Sequence, residues 1–217
     1  MTRKIAPSKE QTTLLPPFEC LRLEQILVPT TLRQFEAAAA DIAQAGVVGF
    51  DTESKPTFLK DSVSEGPHIV QFSTQQRAYI FQLHQGDCRH FLAELLCSSR
   101  VLKVGFGLES DHEQIQHKLG FRLANVLDLN TVFRKDGYAN STGARAAVAI
   151  MFAQKFHKSK KVTTSNWAER RLTPSQLLYA ANDAYVALRV HLALHAALQA
   201  ALQAALNAPT TLPEGPP

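Results

Sequence analysis

Two carboxylates placed one residue apart are the first feature of this chain that could do chemistry. They are Asp51 and Glu53, and they follow small and β-prone apolar residues in the stretch GVVGFDTES at 46–54. This run predicts a strand buried on both faces, and side chains at i and i+2 of a strand point to the same side. The two acids are therefore expected side by side, where their repulsion favours a positive charge between them. A solvated strand end is the alternative.

A third carboxylate, Asp111, lies where a second buried strand turns into a helix. In the stretch LKVGFGLESDHEQI at 102–115, glycines separate the strand from the helix, and Ser110 with Glu113 predicts a capping box at the helix start. The helix dipole alone would explain an acid in the first helical turn. The functional alternative is that Asp111 points to the same edge of the sheet as the first two acids.

A tyrosine and a fourth carboxylate lie on one face of a long predicted helix. Tyr179 and Asp183 are four residues apart in YAAND, and the helix start is marked by Thr173 as N-cap and Pro174 at the first helical position. A carboxylate within this apolar helix needs a partner. Because the sequence offers no obvious lysine or arginine neighbour, a metal cation is the economical partner, and a hydrogen bond to nearby backbone is the alternative.

These carboxylates together predict a metal site. Oxygen-only ligands select hard divalent ions such as Mg²⁺ or Mn²⁺, and a pair of such ions suits phosphoryl transfer. A tyrosine near the attacking water can orient that water or take its proton. The residues expected at the site are Asp51, Glu53, Asp111, Tyr179 and Asp183.

The elements that position these residues predict an α/β fold. A helix at 30–46 precedes the first strand, a hairpin is predicted from 68–74 and 77–83, and strands then alternate with helices, which favours a mixed sheet. Residues 1–29 are expected to form an irregular arm, 30–206 one domain and 207–217 a disordered tail. The Ala/Leu/Gln-rich segment 196–206 is expected to extend the last helix and pack on the core, and an oligomerisation stripe is the alternative.

Composition and charge narrow the class of protein. The 217 residues are 45% hydrophobic with a net charge of +4, which is typical of a soluble globular protein and modestly favours a polyanionic partner such as nucleic acid. Three cysteines without a CxxC pair argue against a zinc or disulfide framework and favour a reducing cytosol. Neither a secretory signal nor a run of 18 apolar residues is present, so we expect a cytoplasmic protein with no membrane span.

A basic stretch precedes the last helix and is a candidate substrate contact. Lys160 and Lys161 lie within it and are expected to contact phosphates, and the adjoining Trp167 is a candidate platform for a base. A solvated loop and a core tryptophan are the alternatives. His112, beside Asp111, is a further candidate contact.

The three acidic stretches resemble a known family. FDTES, VGFGLESD and YAANDA occur in the order of the three motifs of the DEDD superfamily of 3′→5′ exonucleases, and the tyrosine four residues before the last aspartate resembles the DEDDy branch. The longer stretch KVTTSNWAERRLTPSQLLYAANDAYVAL is similar to the exonuclease domain of the Werner syndrome protein and its bacterial relatives, with ribonuclease D the next nearest. The resemblance covers about residues 30–195.

The resemblance implies a ribonuclease H-like fold with a mixed five-stranded sheet, and an exonuclease domain over 30–206. It implies that Asp51, Glu53 and Asp183 hold the catalytic metal, that Asp51 bridges to a second ion, and that Asp111 helps directly or through water. Tyr179 would position the attacking water.

The expected reaction is release of nucleoside 5′-monophosphates from DNA or RNA 3′ ends, with Lys55 near the terminal base. A module that binds nucleic acid ends without cleaving them is one alternative. Another phosphodiesterase of the same fold, acting on short oligonucleotides, is the second.

Overall fold

The computed structural model describes residues 4–57, 64–138 and 142–207, and its centre is one mixed sheet with helices on both faces. The strands are β1 Ile26–Leu27, β2 Val47–Glu53, β3 Ile69–Ser73, β4 Ala78–Gln82, β5 Leu102–Gly105 and β6 Val126–Asp128. The helices are α1 Lys9–Thr13, α2 Leu32–Ala45, α3 Cys88–Cys97, α4 Glu109–Leu119, α5 Leu129–Lys135, α6 Ala144–Phe152, α7 Lys160–Thr163 and α8 Pro174–Leu206.

The sheet has the strand order β1-β4-β3-β2-β5-β6. The predicted hairpin is confirmed, because β3 is antiparallel to both β2 and β4, whereas the pairs β1/β4, β2/β5 and β5/β6 are parallel. The predicted mixed sheet is thus confirmed with one strand more than expected. The sixth strand, β1, has two residues and lies within the segment predicted as an irregular arm, and so short a strand carries no alternation pattern.

Alternation along β2 decides which side chains reach the last helix. Val48 and Phe50 are fully buried in the core beneath α2, α3 and α4. Gly49 lies on the opposite face, against the backbone of Ala184 in α8. Because successive residues of a strand point to opposite faces, Asp51 follows Gly49 on the side of the sheet that α8 covers.

The start of α4 corrects one prediction. The helix begins at Glu109, so Ser110 lies inside it and the predicted capping box is wrong. The carboxylate of Asp128, at the end of β6, instead accepts hydrogen bonds from the backbone N–H groups of Gly107 at 3.0 Å and Leu108 at 3.1 Å. A neighbouring strand therefore fixes the turn that leads to Asp111.

The N-terminal arm lies on the domain and is attached to α8. The Asn182 side chain accepts a hydrogen bond from the N–H of Leu21 at 2.7 Å and donates one to the carbonyl of Leu21 at 3.2 Å. Phe18 packs against Phe152 and Tyr185. The residue next to Asp183 is therefore held by two bonds from the arm.

The C-terminal half of α8 also differs from expectation. The helix has 33 residues and does reach Leu206, but residues 195–207 are exposed, so the predicted packing of 196–206 on the core is wrong. The helix extends about 50 Å, farther than the sheet beneath it, and alanine and leucine keep it helical without packing. By length and hydropathy it also meets the criteria for a membrane span, as core helices of soluble proteins can. Residues 208–217 of the predicted tail lie outside the described residues.

Gly49 allows α8 to approach the sheet, which makes Gly49→Ala a test of this packing. A Cβ at this position would overlap the carbonyl oxygen of Ala184. We expect the substitution to lower the free energy of unfolding by about 2 kcal/mol or more, because backbone on both sides must shift. Urea denaturation measures this change.

Gly86→Ala is the matched control, since nothing lies within 4 Å of a Cβ there. We expect its effect to stay within about 0.5 kcal/mol. Equal stabilities of the two variants would contradict the close approach of α8.

Candidate active site

Three of the predicted carboxylates converge in the structure. Asp51 and Glu53 come from the end of β2 and Asp183 from α8, and one oxygen of each lies within 4.8 Å of the others. The i, i+2 spacing on β2 places the first two on the face covered by α8. The structure thus brings together three of the four predicted carboxylates.

Small residues on α8 bring Asp183 close to the strand. Ala180, Ala181, Ala184 and Ala187 are all buried in the core between the helix and the sheet. Together with Gly49 they leave no large side chain where α8 crosses β2. Asp183 is therefore held at the level of the strand end.

Burial and mutual repulsion raise the pKa values of these acids. Loss of solvent raises the pKa of Asp51 well above its ordinary value, and the charges of Asp111 and Asp183 raise it further. Burial and the neighbouring Asp51 raise the pKa of Glu53 in the same way. Burial raises the pKa of Asp183 to about 6, although the ammonium of Lys158 opposes the rise.

Lys158 is the residue that sequence reasoning missed. Its ammonium lies 2.5 Å from a carboxylate oxygen of Asp183, which corrects the expectation that Asp183 has no lysine or arginine neighbour. Burial alone would lower the pKa of Lys158, but the charge of Asp183 raises it above the ordinary value. Lys158 lies in the segment between α6 and α7, which has no periodic pattern from which the direction of its side chains could be predicted. The density of basic residues was the one sequence feature that pointed to this segment.

Asp111 is near the cluster but outside it. Its carboxylate accepts a hydrogen bond from the hydroxyl of Thr52, whose own N–H donates to the Asp51 carboxylate at 2.9 Å. Burial raises the pKa of Asp111, and the Thr52 hydrogen bond opposes that rise. Asp111 is thus connected to Asp51 through Thr52 and is not among the three mutually close carboxylates.

Tyr179 is held beside Asp183 by neighbours from three segments. The Thr163 hydroxyl donates a hydrogen bond to the phenol oxygen at 2.8 Å, and the Trp167 ring lies 5.9 Å from the tyrosine ring. The Lys158 ammonium lies 5.1 Å from the ring centre. Burial raises the pKa of Tyr179 to about 12, so the phenol keeps its proton in neutral solution.

The predicted substrate contacts divide by exposure. Lys55, Lys160 and Lys161 are exposed and His112 is half-buried. Trp167 is 1% exposed and packs against Tyr179, so its ring is not open to a nucleic acid base and the predicted stacking role is wrong. The tryptophan is instead a core residue that supports the tyrosine.

The donor set fits a hard divalent cation. The Asp183 carboxylate is buried, and the Lys158 ammonium lies 2.5 Å from one of its oxygens, so the site already attracts a cation. Gln71, which pairs with Asp51 across β2 and β3, is fully buried, and neither of its amide atoms has a hydrogen-bond partner in the described part of the chain. Buried polar atoms without partners are costly, and three close carboxylates supply the oxygen ligands that Mg²⁺ or Mn²⁺ prefers.

Comparison with known proteins identifies the class of this domain. A family model described as 3′-5′ exonuclease matches residues 26–199. The chain belongs to this family of 3′-5′ exonuclease domains, as the order of its acidic motifs predicts. The match includes the arm from β1 onward and ends within the exposed part of α8.

Individual relatives agree with this assignment. The chain is 28% identical over 152 residues to the mouse bifunctional 3′-5′ exonuclease/ATP-dependent helicase WRN, and the match covers 69% of the chain and 11% of that relative. The fold is that of the Aedes aegypti Nibbler EXO domain, with a TM-score of 0.71, 23% identity, and coverage of 85% and 94% of the two chains. Trypanosoma brucei RNase D, solved in complex with RNA U12, gives a TM-score of 0.69 at 18% identity, with coverage of 85% and 64%. The ribonuclease H-like fold is thus confirmed.

The raised pKa values predict that a divalent ion stabilises the protein more at about pH 8 than at about pH 5. Because these acids have higher pKa values in the folded protein than in the unfolded chain, the metal-free folded protein binds more protons than the unfolded chain. Its stability therefore falls as the pH rises toward the pKa of Asp183, which is about 6. Once deprotonated, the acids are free to bind metal. Thermal unfolding with and without Mg²⁺ or Mn²⁺ at both pH values measures the difference. An equal rise in melting temperature at both would contradict the account.

Proposed function

We propose that this domain is a metal-dependent 3′-5′ exonuclease that releases nucleoside 5′-monophosphates from nucleic acid ends. The observation that carries the proposal is the convergence of Asp51, Glu53 and Asp183 within 4.8 Å in a chain of the 3′-5′ exonuclease family. Tyr179, one helical turn before Asp183, completes the set.

The acids have distinct roles in this proposal. Asp51, Glu53 and Asp183 would hold the catalytic ion, Asp51 would also bridge to a second ion, and Asp111 would support that second position from its place beside Thr52. Mg²⁺ or Mn²⁺ held by these acids would lower the pKa of the attacking water and would stabilise charge on the leaving 3′ oxygen. The chain itself holds the acids in a buried place, where their electrostatic interactions are strong.

Tyr179 orients the attacking water in the proposed reaction. The Thr163 hydroxyl and the Trp167 ring fix the position of its phenol. Burial raises the pKa of this phenol to about 12, and a protonated phenol can donate a hydrogen bond that positions the water.

The substrate we propose is a DNA or RNA strand with a free 3′ end. Exposed Lys160 and Lys161 on α7 would contact its phosphates, and exposed Lys55 after β2 would lie near its terminal base. The net charge of +4 and the RNA-bound state of the related RNase D structure support this choice. We also propose a reducing compartment, the cytosol, because Cys20, Cys88 and Cys97 are all free thiols.

The direct test is a time course on 5′-labelled single-stranded DNA and RNA with Mg²⁺, Mn²⁺ or chelator. We expect a metal-dependent ladder that shortens from the 3′ end. Asp51→Ala should slow cleavage about a thousandfold or more, since loss of metal coordination removes several kcal/mol of transition-state stabilisation. The variant should stay folded because it also removes a repulsive buried charge.

Asp87→Ala is the matched control, because Asp87 is an exposed acid whose side chain makes no capping bond. It should cleave like the wild type. A circular strand separates the alternatives: cutting of a circle would indicate an endonuclease, and binding of ends without cleavage under every metal condition would indicate an end-binding module. Full activity of Asp51→Ala would contradict the assignment of the site.

Tyr179→Phe tests the role of the phenol. The ring contacts with Trp167 and Lys158 remain, but the oxygen that would orient water is removed. We expect the turnover rate to fall about 10- to 100-fold, with little change in the affinity for the strand. An unchanged turnover rate under single-turnover conditions would show that the phenol oxygen has no part in the chemical step.

A further inference from the structure

Lys158 occupies the position of a cation within the proposed metal site. Its ammonium lies 2.5 Å from Asp183, and the side chain is 29% exposed. Within the described residues 4–57, 64–138 and 142–207, the Lys158–Asp183 contact is the only ion pair that involves one of the three clustered acids. The lysine therefore supplies the positive charge that the cluster needs in the protein alone.

The Asp183 carboxylate cannot bind a divalent ion and keep this ammonium at 2.5 Å without bringing two cations close together. The ions that fit the cluster take carboxylate oxygens at about 2.0–2.6 Å, so the ammonium would lie within a few ångströms of another cation. Their repulsion in a buried site is large. Binding of metal by Asp183 thus favours withdrawal of the ammonium.

The surroundings of Lys158 give its side chain a place to go. The backbone carbonyl of Lys158 accepts a hydrogen bond from the Arg145 guanidinium, which attaches the main chain to α6. The side chain also lines an open cleft of about 500 Å³ together with Lys160, Thr163 and Tyr179. A lysine has a flexible four-carbon stem, so the ammonium can turn from Asp183 into the cleft while the backbone stays in place.

We propose that Lys158 is a built-in competitor for the divalent ion: its ammonium holds Asp183 in the metal-free protein and withdraws into the adjoining cleft when metal binds. The inference rests on the proposed function, because it takes the carboxylate cluster to be a metal site. It explains how three close acids remain together before metal arrives. It also predicts that Lys158 weakens metal binding and, in return, stabilises the metal-free protein.

The first test measures the dissociation constant for Mn²⁺ without nucleic acid, by titration calorimetry. Lys158→Met keeps the length of the side chain and removes the charge, so we expect it to bind Mn²⁺ about tenfold more tightly than the wild type. Lys135→Met is the matched control because it makes the same change of net charge at an exposed lysine, in the last turn of α5. It should bind like the wild type. An affinity of Lys158→Met equal to or weaker than the wild type would overturn the proposal.

The second test uses the unaltered protein and does not depend on the folding of a variant. Brief acetylation of lysine amines, followed by peptide mass spectrometry, reports how accessible each ammonium is. We expect Mg²⁺ to raise the labelling of Lys158 severalfold and to leave Lys161 unchanged. Labelling of Lys158 that does not respond to saturating Mg²⁺ would overturn the proposal.

Different results would contradict the role of Lys158 and the proposed function. A wild type that cleaves strands with metal, while Lys158→Met keeps the wild-type Mn²⁺ affinity, overturns the role of Lys158 alone. A wild type that neither binds Mn²⁺ nor cleaves overturns the proposed function and with it the competition.

Discussion

Repulsion among three close carboxylates, one buried and two half-buried, is the constraint on which the rest of the site depends. Asp51, Glu53 and Asp183 share a small volume between β2 and α8, and burial raises the pKa of each one. Such a cluster persists only with a compensating positive charge. In this protein the charge comes from the Lys158 ammonium, and the same electrostatic demand is what a divalent ion would meet during catalysis.

The fold brings these acids together through one close contact between a strand and a helix. Gly49 lies against the backbone of Ala184. Gly49 precedes Asp51 by two residues on the strand, and Ala184 follows Asp183 directly on the helix. The absence of side chains at this crossing therefore sets the distance between the two acids. The arm strengthens the arrangement, because Asn182 binds both backbone groups of Leu21.

Local sequence patterns were sufficient to predict most of the elements and the acids, because these follow from periodicity. The alternation in GVVGFDTES placed Asp51 and Glu53 on one face, and Thr173 with Pro174 marked the start of α8 as observed. Lys158 was not predictable, since it reaches Asp183 from a segment 25 residues earlier that has no periodic pattern. The hydrogen bonds from the turn before α4 to Asp128 are a similar contact between distant segments. The exposure of Leu198 and Leu202 was missed because helix propensity predicts that a helix continues, and does not predict where the sheet beneath it ends.

The central claim is that β2 and α8 together form a divalent metal site. Anomalous diffraction from a crystal soaked in Mn²⁺ would test it most directly, because the manganese signal locates the ion without reference to activity. The account predicts a peak bounded by the carboxylates of Asp51, Glu53 and Asp183, with the Lys158 ammonium displaced from Asp183. A cluster without a peak at saturating Mn²⁺, with Lys158 still on Asp183, would contradict it.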